Sequence, residues 1–260
     1  MNFNFDKDIE IVSQNSNEFI TQIQNSWSID DNPNGGYLVA VVLQALRQTF
    51  KKEDPLTVTA HFLRPGLGGT SGKISTEVIR SGRRITVGRG RLNQDGLDRL
   101  EVLAAFGEIK HPLQSVLSIQ PPVIPAPEDC FSRSLEDQGV ILHIDEKVEV
   151  RLAEESFEEN SRTCGWIRFR DNRPPDLSSL VLFSDAFPPA VFKIFGRVGW
   201  VPTIELTVHF RSHPAPGWIL GEFFTDDLSN GTMIETGSLW DSTGSLVARS
   251  RQLALVSIPK

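Results

Sequence analysis

The chain carries one pattern twice, and that repetition limits its fold more than any other feature. His61-Phe62 and His209-Phe210 lie 209 − 61 = 148 positions apart. The same shift lays Leu56 on Ile204, Val58 on Leu206 and Thr59 on Thr207, and it still holds at Gly96 and Gly244. A period this long in 260 residues describes two units of domain size, not a solenoid of short repeats.

Each unit reads as one helix followed by antiparallel strands. In the first, NPNGGYLVAVVLQALRQTF is apolar through several helical turns, with Asn32 or Asn34 placed to cap it. LTVTAHFLRPG is a strand, and GKISTEVIRSGRRITVGRGRLNQDG is two strands turning at Ser81-Gly82. RLEVLAAFGEI is another, entered from Asp95-Gly96. In the second unit DLSSLVLFSDAFPPAVFKIF is the helix candidate, which Pro188-Pro189 should bend or break. TIELTVHFRSHP, WILGEFFTDDL, TMIETGSLWD and SLVARSRQLALVSI follow as strands, with turns at Ser229-Asn230-Gly231 and Ser242-Thr243-Gly244. Trp200, Trp218, Phe223, Phe224 and Trp240 suit strands. HIDEKVEVRLAEE, from His143, is expected to begin the second sheet.

QPPVIPAPEDC between the units is Pro-rich and reads as an extended linker. The expected division is 1–120, a linker at 121–130, and 131–260. A sheet with one apolar face must cover it, and each unit supplies one apolar helix to do so. The expected class is therefore α+β: two long helices, each wrapped by a curved antiparallel sheet. The two sheets can join edge to edge, which removes an exposed strand edge.

Composition narrows the function. A net charge of −7 argues against nucleic-acid binding, which needs a basic stripe. The N-terminus MNFNFDKDIE lacks the basic and apolar regions of an export signal, and the apolar run Tyr37 to Leu43 is far too short to span a bilayer. Cys130 and Cys164 are expected to be free thiols in a reducing cytoplasm, and neither lies in a zinc-binding cluster. No cofactor, metal, nucleic acid or membrane partner is expected.

Taken in order, NGGYLVAVVLQAL, HFLRPG, RSGRR and NQDG, then SDAFPPAV, WVPTIELTVHFR, GWILGEF and NGTMIETGSLWDSTGSLVARSRQLALV, resemble the double hotdog acyl-CoA thioesterases of the thioesterase II (TesB-like) family. The likeness covers most of the chain. It implies a tandem double hotdog that hydrolyses fatty acyl-CoA by direct water attack, and pairing into a homodimer or a larger even oligomer. It also implies an Asp, a Thr or Ser, and a Gln around the attacking water, all from the second hotdog. Asp185 in LFSDAFPP, Thr203 in PTIELTVHFR and Gln252 in ARSRQLALV match. Gly35-Gly36 matches the family's carbonyl-binding turn.

Those residue types suit the chemistry. A carboxylate polarises a water, a hydroxyl and an amide fix its other hydrogen bonds, and a backbone N–H at a helix start receives the developing oxyanion. The 148 shift carries Asp185 onto Tyr37, Thr203 onto Pro55 and Gln252 onto Ala104, so one competent site per chain is expected. Thr207 rivals Thr203, being four residues on and so on the same strand face, but it falls on Thr59, as a packing residue would. His61 and His209 also occupy matching positions, which favours a structural role. Arg83 and Arg84 mark a solvated turn with the charge to meet a CoA phosphate. GLGGTSG fits no phosphate loop, and no G-x-S-x-G elbow occurs. Two alternatives stay open: a hotdog hydratase or dehydratase, although no Asp-His or Glu-His spacing for it is found in the second half, and a non-catalytic acyl-CoA binder.

Overall fold

Thr59 sits opposite Thr207, Val58 opposite Val208 and Ala60 opposite Leu206, across an antiparallel strand pair. Here 207 − 59, 208 − 60 and 206 − 58 all equal 148, so exchanging the two repeats leaves the register unchanged. A pseudo-two-fold axis therefore passes between Thr59 and Thr207, whose hydroxyls lie 2.9 Å apart.

This computed structural model describes residues 3–52, 54–110, 117–133, 141–153, 161–195 and 201–257. Trp200, expected in a strand, and the Glu154-Glu155 end of HIDEKVEVRLAEE lie outside them. The N-terminal elements are α1 (Asn4–Asp8), β1 (Ile11–Ser13), β2 (Glu18–Gln22), β3 (Ser28–Ile29), β4 (Asn32–Pro33), α2 (Gly35–Phe50), β5 (Asp54–Phe62), β6 (Ser71–Ser81), β7 (Thr86–Gln94) and β8 (Leu97–Gly107). The C-terminal ones are β9 (Phe131–Ser132), β10 (Val148–Leu152), β11 (Arg162–Phe169), α3 (Leu177–Phe183), α4 (Phe192–Phe195), β12 (Thr203–Phe210), β13 (Ile219–Ser229), β14 (Thr232–Trp240) and β15 (Leu246–Leu255).

Thirteen of the described strands form one sheet in the order β1-β2-β6-β7-β8-β5-β12-β15-β14-β13-β11-β10-β9. About the β5–β12 seam the two sides mirror each other, β8 answering β15, β7 answering β14 and β6 answering β13. This is the tandem double hotdog that the resemblance implies. The turns expected at Asp95-Gly96 and Asn230-Gly231 have positive φ at both residues (52° and 75°, 53° and 74°), which matches the strand twist of a two-residue hairpin.

The main apolar core fills the space between the sheet and helices α2 and α3. Leu38, Val42 and Leu46 of α2 and Leu180, Val181 and Phe183 of α3 are all buried in it. Asn34 caps α2, its side chain accepting from the Tyr37 N–H, and Asp176 and Ser179 form a reciprocal capping box on α3. The helices run antiparallel: Gln44, in the second half of α2, bonds Ser178 near the start of α3, while Gly36 at the start of α2 bonds Asp185 just past the end of α3.

The helices break the symmetry that the strands keep. α2 has 16 residues and α3 has 7. Pro188 lacks an N–H and its ring excludes helical backbone before it, so the second helix ends no later than Phe187, and α4 follows the proline turn as a separate helix. The repeat spacing slips as well. Helix starts are 177 − 35 = 142 apart, whereas the strands keep 148, so the second unit carries six more residues between the start of its helix and the matching point of its strand. Aligned by helix start, Asp185 corresponds to Leu43 rather than to Tyr37. The asymmetry survives, since either counterpart is a fully buried residue without a carboxylate.

Candidate active site

The site forms where the start of α2 meets the end of α3 and the free ends of β12, β14 and β15. Asp185 comes from the turn closing α3, its N–H donating to the Leu182 carbonyl at 3.1 Å. Its Oδ2 accepts from the Gly36 N–H at 2.9 Å and from Asn34 Nδ2 at 3.0 Å. Asn34 Nδ2 also reaches the Asp185 carbonyl at 2.8 Å. The capping residue of α2 thus serves twice, its oxygen on its own helix and its nitrogen on the facing carboxylate.

The two glycines explain how the helix start comes so close. A Cβ on Gly36 would lie 2.6 Å from the Val181 carbonyl oxygen, and one on Gly35 would lie 2.8 Å from the Phe62 ring. Glycine is required at both points by close approach. The α2 N-terminus then directs its N–H groups and positive dipole at Asp185.

Opposite, Thr203 Oγ1 donates to Gln252 Oε1 at 3.1 Å, and Gln252 Nε2 donates to Glu235 Oε1 at 2.9 Å. Glu235 Oε2 accepts from the Ala190 N–H at 2.6 Å. Thr203 faces inward because β12 carries a β-bulge between Thr203 and Glu205. The extra residue reverses the alternation, so Thr203 and Thr207 lie on opposite faces although they are four apart. The expectation of a shared face is corrected on this point. Thr207 bonds Thr59 at the seam and also donates to Glu205.

Asn34, Gly35, Asp185, Thr203, Glu235 and Gln252 all line a cavity of about 330 Å³, whose remaining wall is largely apolar, with Leu38, Phe62, Phe187 and Phe223. Thr203 and Gln252 are bonded to each other. Asp185 shares the cavity with them, but the partners of its carboxylate belong to the N-terminal half. Gly36, expected as an oxyanion donor, is already committed to Asp185, and of the two glycines it is Gly35 that lines the cavity. His61 and His209 are exposed and line no part of it.

Burial shapes the electrostatics. The Asp185 carboxyl is enclosed by protein, with part of its surface toward the cavity. Desolvation pushes its pKa up to about 6, against the opposing pull of the Gly36, Gly35 and Asn34 donors. Glu235 is 5% exposed. Burial raises it to about 7, the Ala190 N–H and Gln252 amide oppose that, and the nearby Asp185 charge adds to it.

Sequence reasoning missed Glu235. In TMIETGSLWD it reads as one polar residue of an alternating strand. Its pairing partner across the β14–β15 ladder is Gln252, and that pairing is the signal that could have found it.

The sequence profile of the acyl-CoA thioesterase C-terminal domain matches residues 122–256, and that of the N-terminal domain matches residues 23–107. An uncharacterised protein of Mycobacterium tuberculosis is 28% identical over 275 residues, spanning 92% of this chain and 90% of that one. Among solved structures, a candidate thioesterase II from Thermobifida fusca superposes with a TM-score of 0.90 at 27% identity, covering 98% of both chains. The acyl-CoA thioesterase II TesB2 from Mycobacterium marinum gives 0.78 at 18% identity, covering 98% and 99%, a likeness of fold.

Proposed function

The chain belongs to the acyl-CoA thioesterase family, and from that premise we propose that it hydrolyses fatty acyl-CoA to the free acid and CoA by direct attack of water, with Asp185, Thr203 and Gln252 around that water. The observation that carries this reading is the meeting of two polar arms, Asn34–Asp185–Gly36 and Thr203–Gln252–Glu235, in one largely apolar cavity. An acyl chain fits the apolar wall, and the reacting carbonyl is placed between the arms.

Asp185 acts as the base. Its raised pKa brings it closer to neutrality, where a carboxylate is a stronger base yet still largely ionised at pH 7. Thr203 holds the water as an acceptor, because its hydroxyl hydrogen is already given to Gln252 Oε1. Gln252 keeps one amide N–H beyond the one given to Glu235. That N–H is the donor offered to the oxyanion, while Gly35 and Gly36 act one step back by holding Asp185. The water oxygen bonds the carbonyl carbon as its proton passes to Asp185; the C–S bond then breaks, and Asp185 returns that proton to the CoA sulfur, which leaves as the thiol.

The same proposal takes 1–120 and 131–260 as the two hotdogs joined by 121–130, working in the cytoplasm as a homodimer or larger even oligomer. The test is thiol release from acyl-CoAs of graded length, followed with a thiol-reactive dye. Release that Asp185→Asn abolishes supports the reading. A change in enoyl absorbance without thiol points to a hydratase, and binding without either change points to a carrier; each overturns it.

A further inference from the structure

Glu235 has no part in the mechanism above, yet it is a nearly inaccessible carboxylate 2.9 Å from a proposed catalytic amide. Burying a carboxylate is costly unless its oxygens are satisfied, and here both are, one by the Ala190 N–H and one by Gln252. The N-terminal repeat lacks this feature. Gln252 answers to Ala104 there, and the residue paired with Ala104 across β7–β8 is Gly88. The acid is therefore not a requirement of the strand scaffold, which forms without it.

An isolated glutamine amide can turn over, since its oxygen and nitrogen have nearly the same shape. A carboxylate beside it removes that freedom, because a carboxylate only accepts. With Glu235 ionised, Gln252 must present nitrogen to Glu235 and oxygen to Thr203. Thr203 must then donate to Gln252, and its oxygen lone pair is left for the cavity. We propose that Glu235 is a positioning residue that sets the direction of this hydrogen-bond chain, fixing the Gln252 amide and through it the Thr203 hydroxyl as an acceptor toward the attacking water. This deepens the proposed function and rests on it.

Among the described residues, few competing charges surround Glu235. On β13 it pairs with Thr225 and on β15 with Gln252, neither of which titrates. From the turn after α3 it meets Asp185. Among the described residues, the remaining charged ones on the cavity wall are Arg64 and Arg133, and Arg133 is paired with Asp145.

Glu235→Gln separates direction from shape. The Ala190 N–H requires an acceptor, so the new amide turns its oxygen to Ala190 and its nitrogen to Gln252. Gln252 must then flip and donate to Thr203, whose hydroxyl hydrogen is released into the cavity. We expect kcat to fall about ten- to a hundredfold, the range for a lost hydrogen bond to a charged group, with KM unchanged.

A second measurement needs no change at position 235 and no catalysis. The Gln252 side-chain amide resonance, assigned by its loss in Gln252→Ala, should titrate near neutrality in the otherwise unaltered protein, and should still do so in Asp185→Asn. Wild-type kcat in Glu235→Gln, or a Gln252 resonance that does not move with pH, overturns the inference while leaving the thioesterase reading intact. Absence of thiol release from the unaltered protein sinks that reading instead, and the resonance then still tests the Glu235–Gln252 contact.

Discussion

The two halves share a strand scaffold and differ in what fills it. In the N-terminal half α2 continues to Phe50, whose ring packs edge-on to Phe106 and stands where a side chain on Gly88 would lie, a Cβ there being 2.4 Å from it. Pro55 occupies the bulge, and Ala104 faces Gly88. In the C-terminal half α3 stops nine residues sooner (16 − 7 = 9), and a proline turn follows. The equivalent bulge holds Thr203, and the equivalent pair is Gln252 with Glu235. One half is sealed by a long helix. In the other a shortened helix leaves an opening, and polar residues have taken the positions around it. The sealed half still contributes, since Asn34 and Gly36 hold the carboxylate of the open one.

That division predicts where activity is lost. Asp185→Asn keeps the shape, and its Oδ1 can accept from Gly36 and Asn34, but it removes the base. We expect kcat to drop by about a hundredfold or more, with acyl-CoA binding retained. The same change should stabilise the fold at pH 8. A carboxyl whose folded pKa lies above its unfolded value gives stability that is fully present below about pH 4 and lost as pH rises through about 6. Above that window the ionised Asp185 is a cost, on the order of 1–3 kcal/mol, which asparagine avoids. Thermal unfolding at pH 8 and pH 4 checks the sign: the variant gains at the first and gains nothing at the second.

The pH profile is the next largest effect. If ionised Asp185 is the base, kcat/KM should fall about tenfold per unit as pH drops below about 6. A profile flat down to pH 5 removes Asp185 from that role.

The strand scaffold and the asymmetry were legible in the sequence because they rest on local signals. The 148 shift is exact in β5 and β12, and the Asp-Gly and Asn-Gly turns announce their own backbone. Three things were not legible. The helix spacing of 142 was hidden because Pro188-Pro189 marks a break without giving its length. The acid at Glu235 was hidden because its meaning lies in a cross-strand partner 252 − 235 = 17 residues away. The inward turn of Thr203 was hidden because a bulge reverses strand parity without a sequence mark of its own, although a proline at the matching position 55 hinted at irregular pairing there.

The smallest effects sharpen that last point, by setting Thr203→Val against Thr207→Val. Counted by alternation the two threonines are equivalent, so both changes should harm catalysis equally. The bulge makes them different. Thr203 lines the cavity and donates to Gln252, and replacing its hydroxyl by a methyl removes one hold on the water while leaving the base in place. We expect kcat to fall about tenfold, the value of one positioning hydrogen bond, with little change in stability. Thr207 lies on the opposite face, where it bonds Thr59 across the pseudo-two-fold axis and donates to Glu205. Valine there keeps the β-branched shape the strand prefers and loses two half-buried hydrogen bonds. The cost should be about 1 kcal/mol of stability, read by denaturant unfolding, and kcat should be unchanged. Equal losses of activity in the two variants would mean that β12 runs without its bulge in solution, and Thr203 would then lose its place in the site.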